Sequence, residues 1–164
     1  MNIAKYIVIL SALLIAAPAI AQESPPPPQE VPDAKAQVDA IMVPINALFA
    51  ALASRDTSGI GQYIQDGATI TIATGRSNEV RRISFDQWAA QIAASTDQYE
   101  EIMPDPAMGI DGNIAMVWGF YTFKRNGAFS HCGVNHFSLT REDGVWKIAN
   151  LAFSVRVNQC REPS

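Results

Sequence analysis

The stretch from Ile114 to Val157 decides the fold and reads IAMVWGFYTFKRNGAFSHCGVNHFSLTREDGVWKIANLAFSVRV. It falls into three segments rich in β-branched and aromatic residues, a composition typical of strands. Asn126-Gly127 and Asp143-Gly144 separate them, and both dipeptides are favoured in two-residue hairpin loops. We therefore predict an antiparallel meander of three long strands over residues 114–124, 128–141 and 145–157.

The residues before this meander predict helices and shorter strands. Apolar residues at spacings of three and four over 38–52 indicate a long helix after Pro32-Asp33, with a kink or break at Pro44. A second short helix is expected to end at Asp66-Gly67, and a third begins with the capping-box pattern of Ser84 and Gln87. Strands are predicted at 68–73, 80–83, 99–103 and 107–110, with a further hairpin turn at Asp111-Gly112. The fold class is therefore α+β.

The N-terminus has the three regions of a signal peptide. Lys5 precedes an apolar run over 6–20, and Ala19-Ile20-Ala21 fits the small-residue rule for cleavage after Ala21. A membrane anchor is the alternative, but the run is shorter than the roughly 20 residues that span a bilayer. We predict a signal peptide at 1–21, a proline-rich spacer at 22–33, one domain at 34–160, and a periplasmic or secreted location.

Composition restricts the classes of partner. The chain is 48% hydrophobic and 17% charged, which is typical of a folded domain. The formal net charge is -4, so the basic surface expected of nucleic-acid binding is missing. No segment beyond the signal looks long and apolar enough to cross a membrane, so no stable membrane insertion is expected after cleavage.

The two hairpin loops also predict which side chains share a face. If each loop holds two residues, Arg125 opposes Ala128 and Glu142 opposes Val145, and alternate residues then point to the same side. A bulge of one residue in either hairpin would exchange the faces beyond it. The predicted pocket face holds large aromatics and separated polar groups: Met116, Trp118, Phe120, Thr122, His131, Gly133, Asn135, Phe137, Leu139, Trp146, Ile148, Asn150, Ala152, Ser154 and Arg156.

The order of elements resembles a known superfamily. A long helix, a short one ending in Asp66-Gly67-Ala68, a strand pair, a third helix and closing strands with Gly144-Val145-Trp146-Lys147-Ile148 resemble the nuclear transport factor 2-like superfamily, and SnoaL-like domains within it. The resemblance implies a cone-shaped, strongly curved antiparallel sheet covered by about three helices, an internal pocket and frequent homodimers. Members include ketosteroid isomerase, scytalone dehydratase and polyketide cyclases.

His131 is the best candidate for acid–base chemistry on the predicted face. It could act as a general base near neutral pH, or it could be a hydrogen-bonded histidine at the open rim. Tyr63 could donate a hydrogen bond to an oxyanion, although packing in the core is the stronger alternative. The three long strands place no carboxylate on this face, but either Glu100 or Glu101 should point inward because adjacent strand residues alternate.

The cysteines and histidines give two further expectations. In an exported protein a disulfide between Cys132 and Cys160 is expected, provided that the tail folds back; two free thiols or an intermolecular link are the alternatives. His131 and His136 point to opposite faces of a strand, so we expect no metal site. No cofactor-binding motif is recognised.

Three functions fit these observations. The first is the binding of a small, partly apolar molecule in the cavity, with Arg156 attracting an anionic group of that molecule. Its predicted ligand-binding residues are Trp118, Phe120, Asn135, Asn150, Ser154 and Arg156, with His131 beside them. The second is an isomerase or lyase of the ketosteroid isomerase or SnoaL-like type, with His131 as base and Tyr63 as oxyanion donor. The third is a dimeric interaction module without a ligand.

Overall fold

The computed structural model describes residues 33–75, 77 and 79–160. The predicted signal peptide and all but the last residue of the predicted spacer lie outside the described residues. Within the described range, the chain forms a mixed α+β fold with a curved, unclosed sheet and helices on one side of it.

The long helix α1 spans Ala34–Ser54. The Asp33 side chain caps it by accepting a hydrogen bond from the Lys35 amide at 3.1 Å. Pro44 lies inside α1 and does not end it, so the predicted break is absent. Among the described residues α1 alone is long and apolar enough to cross a membrane by length and composition, contrary to the sequence expectation. One of its stripes nevertheless packs into the core through Ile41 and Ile45, which are fully buried.

Two shorter helical segments follow α1. The predicted second helix is a single 3₁₀ turn at Ile60–Tyr63, and the chain enters a strand directly after it. Helix α2 spans Phe85–Ala93 and has the predicted capping box. Ser84 Oγ accepts from the Gln87 amide at 3.1 Å, and Gln87 Oε1 accepts from the Ser84 amide at 3.0 Å. This reciprocal pair fixes where α2 begins.

Seven strands form one sheet in the described part of the chain. Their bounds are β1 Ile64–Thr74, β2 Glu79–Ser84, β3 Tyr99–Ile102, β4 Ala107–Asp111, β5 Ile114–Arg125, β6 Ala128–Glu142 and β7 Val145–Val155. The strand order is β2-β1-β7-β6-β5-β3, and β4 also pairs with β5. The pairing of β1 with β7 is parallel, whereas an antiparallel sheet was predicted. The parallel pair arises because the chain crosses over through α2 and the meander before β7.

Two of the three predicted hairpin turns are confirmed at the predicted residues. Arg125 pairs with Ala128, and both Asn126 and Gly127 have positive φ. The second loop is Asp143-Gly144, again with positive φ at both positions. The third loop is shifted by one residue to 112–113, because Asp111 still pairs with Ile114.

Two one-residue bulges overturn the predicted faces of the meander. In the β5–β6 ladder Lys124 pairs with Phe129 but Phe123 pairs with His131, so Ser130 is extra. In the β6–β7 ladder Ser138 pairs with Asn150 and Leu139 pairs with Ile148. Ala149 of β7 is therefore also extra. Each bulge reverses the alternation beyond it. The inward residues of β6 stay as predicted, while those of β5 and of the second half of β7 exchange faces.

The concave face of the sheet forms the core with α1. Phe137 is fully buried and meets Phe49 of α1 edge to face, with ring centroids 6.2 Å apart. The core cluster in the described residues consists of apolar side chains, including Ile70, Val117, Leu139, Trp146, Ile148 and Leu151. The core therefore lies at one end of the concave face, and the opposite end is left less filled.

A disulfide holds the C-terminal tail against the sheet. Cys132 and Cys160 are bonded, with Cα atoms 5.7 Å apart. The tail folds back after β7, and Cys132 exchanges two backbone hydrogen bonds with Arg156 at 2.9 and 2.8 Å. The covalent bond thus closes a loop of 28 residues in sequence separation around β7.

Candidate functional site

A cavity of about 320 Å³ lies between the two helices and the concave face of the sheet. Its wall is mostly apolar and aromatic, with a few polar groups, which is the usual make-up of a small-molecule site. The lining residues are Leu48, Phe49, Leu52, Ile72, Arg81, Trp88, Ile92, Tyr99, Glu101, Tyr121, Phe123, His131, Asn135, Leu151, Phe153 and Val155.

Glu101 brings a carboxyl group into this cavity. It lies on β3 opposite Phe123, and it points inward while its neighbour Glu100 points outward to a salt bridge with Lys124. Asn135 Nδ2 donates a hydrogen bond to Glu101 Oε1 at 2.6 Å. Burial raises the pKa of Glu101 to about 7, although the hydrogen bond from Asn135 lowers it. Near neutral pH this carboxyl can therefore either give or take a proton.

Asn135 is the buried polar residue that holds the carboxyl in place. It is 2% exposed, and its amide also lies 3.9 Å from Met103 Sδ. It pairs with Gly119 of β5, and a side chain at Gly119 would collide with Met103. Because Gly119 has no side chain, Met103 can lie beside Asn135. At Gly119 the side chain of Glu101 on β3 therefore reaches Asn135 on β6 over β5.

His131 lies at the cavity wall with its ring packed between aromatic side chains. It stacks on Phe123 with centroids 4.6 Å apart and meets the Tyr121 ring edge to face at 5.8 Å. Its Nδ1 shares a hydrogen bond with Ser130 Oγ at 3.0 Å. Burial lowers the pKa of His131, so the imidazole is neutral at pH 7.

Tyr121 lines the cavity, but its hydroxyl is already engaged. The hydroxyl donates to the Ser154 carbonyl at 2.9 Å. Burial raises the Tyr121 pKa, and the nearby charge of Glu101 raises it further, so the phenol stays protonated. Tyr121 therefore contributes its ring to the cavity wall and uses its hydroxyl to tie β5 to β7.

Trp118 and Phe120 do not line the cavity, because the bulge at Ser130 turns them to the outer face of the sheet. They are 47% and 48% exposed, respectively. Trp118 packs beside His136 with ring centroids 5.6 Å apart. The prediction that these two residues line the cavity is therefore wrong.

Asn150, Ser154 and Arg156 also lie outside the cavity lining, because of the bulge in β7. Asn150 Oδ1 accepts a hydrogen bond from Thr69 at 3.0 Å, and Ser154 Oγ accepts one from the Val134 amide at 3.1 Å. Arg156 lies in a separate groove beside the C-terminal tail, and its Nε is buried without a hydrogen-bond partner. The predicted anion-attracting role of Arg156 in the cavity therefore loses its basis.

Tyr63 is not part of the site either. It lies in the 3₁₀ turn and packs, partly buried, against the core cluster. It is not among the cavity-lining residues, so its predicted role as an oxyanion donor has no geometric support. Of the predicted site residues, His131 and Asn135 are the two that the structure brings together in the cavity.

Several of the cavity residues that the sequence missed are aromatic. Three of them lie on strands whose predicted alternation turned them outward: Tyr121, Phe123 and Phe153. Tyr99 on β3 also faces inward. For Glu101 a signal was present, because one of two adjacent glutamates in a strand had to point inward. Within the described residues no group of three or more His, Cys, Asp or Glu side chains could hold a metal ion.

Solved structures with the same fold include several nuclear transport factor 2-like (NTF2-like) proteins. A candidate dehydratase of the NTF2-like family from Streptomyces avermitilis is 15% identical, with a TM-score of 0.62 over 75% of this chain and 98% of that one. An NTF2-like protein from Cytophaga hutchinsonii is 15% identical, with a TM-score of 0.62 over 73% and 98%. An NTF2-like protein with a cystatin-like fold from Novosphingobium aromaticivorans is 12% identical, with a TM-score of 0.62 over 76% and 85%.

These similarities establish the fold class. The chain has the NTF2-like fold, as its sequence pattern predicted. No protein-family model and no curated protein matches the sequence. The assignment to SnoaL-like domains within this fold remains a prediction.

Proposed function

We propose that this protein binds a compact, mainly apolar small molecule in the cavity, with one polar group of the ligand directed at Glu101. The observation that carries this proposal is the hydrogen-bonded pair of Glu101 and Asn135 inside an otherwise apolar wall. A buried carboxyl is unfavourable for folding unless it is satisfied, so its position next to an open volume favours a role in binding. A ligand would bury its hydrocarbon part against the aromatic rings and hydrogen-bond to the carboxyl.

Native mass spectrometry of the protein purified from its own source tests the proposal. We expect a retained small-molecule adduct on the unmodified protein. The Ile92→Trp variant, which fills the cavity from α2, should lose the adduct. The Ala90→Trp variant is the matched control, because Ala90 lies on the exposed side of the same helix. Repeated absence of an adduct, or equal adducts on both variants, would count against binding in the cavity.

An acid–base enzyme is the second candidate function, and the pKa of Glu101 favours it. A group that titrates near neutral pH suits general acid or base catalysis. In such an enzyme Glu101, and not His131 as predicted, would be the acid–base group, because burial lowers the pKa of His131 and raises that of Glu101 to about 7. The reaction would be an isomerisation or elimination on a compact apolar substrate. A candidate dehydratase has the same fold, but at 15% sequence identity this similarity supports the fold alone.

Proton exchange tests the catalytic candidate directly. A panel of small cyclic ketones in deuterated water should exchange the hydrogens next to the carbonyl faster in the presence of the protein. Glu101→Gln should slow this exchange by about 100-fold or more, the usual contribution of a general acid–base group. Glu100→Gln, one residue away on the outer face, should leave it unchanged. If the unmodified protein does not accelerate the exchange, or if Glu101→Gln accelerates it equally well, the catalytic candidate is excluded.

We further propose that the chain is exported and works in the periplasm or outside the cell. The apolar N-terminal stretch fits a signal peptide, and the bond between Cys132 and Cys160 fits an oxidising compartment.

A homodimer through the outer face of β5 is also part of the proposal. Ile114, Met116, Trp118 and Phe120 follow one another along this face and are each more than 40% exposed. No charged side chain interrupts the row, and an apolar strand face can pack against its own copy around a two-fold axis.

A further inference from the structure

The carboxyl of Glu101 has no cationic partner in the described part of the chain. The ion pairs there are Lys35–Asp39, Lys124–Glu100, Arg125–Asp97 and Lys147–Glu142. The hydrogen bond that Glu101 accepts comes from the neutral amide of Asn135. A desolvated carboxylate is stabilised strongly by a cation placed within hydrogen-bond distance. The cavity therefore offers a position at which an added positive charge would be favourable.

The walls of the cavity suit a positive charge as well. Six aromatic rings from both helices and three strands of the sheet line the volume together with Glu101: Phe49, Trp88, Tyr99, Tyr121, Phe123 and Phe153. The faces of such rings attract cations electrostatically, and more so when water is excluded. A neutral ligand would gain only the packing energy from the same rings.

We propose that the ligand of this cavity is an organic cation, namely a compact protonated amine whose ammonium group pairs with Glu101 and whose hydrocarbon part packs on the aromatic rings. This inference rests on the proposed binding function and names the chemical class of its ligand. It also replaces the anionic group that the sequence had suggested, because Arg156 lies outside the cavity.

Apart from Arg81, the other titratable side chains facing the cavity place no positive charge near Glu101. Tyr99 on β3 contributes a phenol ring to the lining. Tyr121 on β5 and His131 on β6 are neutral at pH 7, because burial raises the pKa of Tyr121 and lowers that of His131. Arg81 on β2 is the one positive side chain in the lining; it is exposed and forms no ion pair with Glu101. The lining residues from α1, α2, β1 and β7 carry no titratable group.

A matched pair of probes separates this inference from the proposed function. The probes are 2-aminoindane and 2-indanol, which have nearly the same size and differ in charge, with binding measured by isothermal titration calorimetry. At pH 8 we expect the amine to bind at least about tenfold more tightly than the alcohol, as a charge-assisted hydrogen bond requires. At pH 6 the amine affinity should fall by about tenfold, because Glu101 is then mostly protonated. The alcohol affinity should change little.

Variants complete the test. Glu101→Gln should bring the amine affinity down to that of the alcohol at both pH values, and Glu100→Gln should behave like the unmodified protein. Equal binding of the two probes would overturn the amine preference while leaving cavity binding intact. An amine preference that survives Glu101→Gln would also overturn it. Binding of neither probe would contradict both the inference and the proposed binding function.

Discussion

Asn135 and Glu101 form a 2.6 Å hydrogen bond although β5 lies between their strands in the sheet order. The contact places the amide and the carboxyl on the concave face, where α1 and α2 shield them from bulk water. Every proposed function of this cavity depends on that pair. The pair also makes the stability of the fold depend on pH.

Glu101→Gln should flatten the pH dependence of stability. The pKa of Glu101 is raised from 4.5 to about 7 on folding, so its contribution is fully present below about pH 4.5 and is lost as the pH rises through 7. The loss approaches about 3 kcal/mol at pH 8, since one pKa unit corresponds to about 1.4 kcal/mol. Urea unfolding at pH 5 and pH 8 measures it. Glu100→Gln is the control and should keep the pH dependence of the unmodified protein. Equal stability of the unmodified protein at both pH values would contradict the buried carboxyl.

His131 should show the opposite dependence. Its pKa is lowered by burial, so the folded protein keeps the stability of a neutral imidazole above about pH 6.5 and loses it as the pH falls through the lowered value. In a proton NMR titration the His131 ring should therefore titrate below its ordinary value. A His131 pKa above 6.5 would mean that a negative charge, such as ionised Glu101, acts on the ring more strongly than burial does.

Gly133→Ala should destabilise the fold severely. A Cβ at Gly133 would lie 1.8 Å from the Ser154 carbonyl oxygen and 2.8 Å from the Tyr121 ring, and the backbone cannot yield cheaply. We expect a loss of at least about 2 kcal/mol, the range of mutations that force backbone shifts. Gly61→Ala is the control, because nothing lies within 4 Å of its added Cβ. Similar melting temperatures for the two variants would contradict this close approach of β6 and β7.

Cys160→Ser should lower the stability through the loss of the disulfide. The bond to Cys132 spans 28 residues, and the entropy of closing such a loop corresponds to about 3 kcal/mol. Melting temperature by circular dichroism should fall by roughly 10 °C. Adding a reductant to the unmodified protein should have the same effect and should not affect the variant. A reductant that lowers both melting temperatures equally would show that something other than this bond responds.

Trp118→Lys should dissociate the proposed homodimer. A charge in the middle of the apolar row on β5 would have to be buried in the interface. Light scattering after size-exclusion chromatography should give a dimer for the unmodified protein and a monomer for the variant. Val80→Lys is the control, because Val80 is 69% exposed on the distant strand β2. A monomeric unmodified protein would contradict the dimer.

The strands of the meander could be predicted closely because local signals define them. The predicted hairpin loops at Asn126-Gly127 and Asp143-Gly144 are the observed ones. The predicted ends of β5, β6 and β7 lie within two residues of the observed ends. The third helix followed from its capping box in the same way. These features depend on a few adjacent residues, so the sequence carries them directly.

The face to which the side chains of β5 and of the second half of β7 point could not be predicted, because it depends on two bulges without a sequence signature. Ser130 and Ala149 are small residues with nothing to mark them as extra. The alternation in β5 gives no help, since the outward row with Trp118 and the inward row with Val117 are both apolar. The site prediction therefore kept His131 and Asn135 on β6 and lost its residues on the neighbouring strands.

All the proposed roles of the cavity require that Glu101 is shielded from water and ionises near neutral pH. Carbon-13 NMR titration of the glutamate side-chain carboxyl groups tests it most directly, with Glu101→Gln used to assign the signal. We predict one carboxyl signal with a pKa of about 7 that disappears in the variant. A Glu101 signal that titrates near the ordinary value of 4.5 would rule out the buried carboxyl, because it would mean that bulk water reaches this group freely.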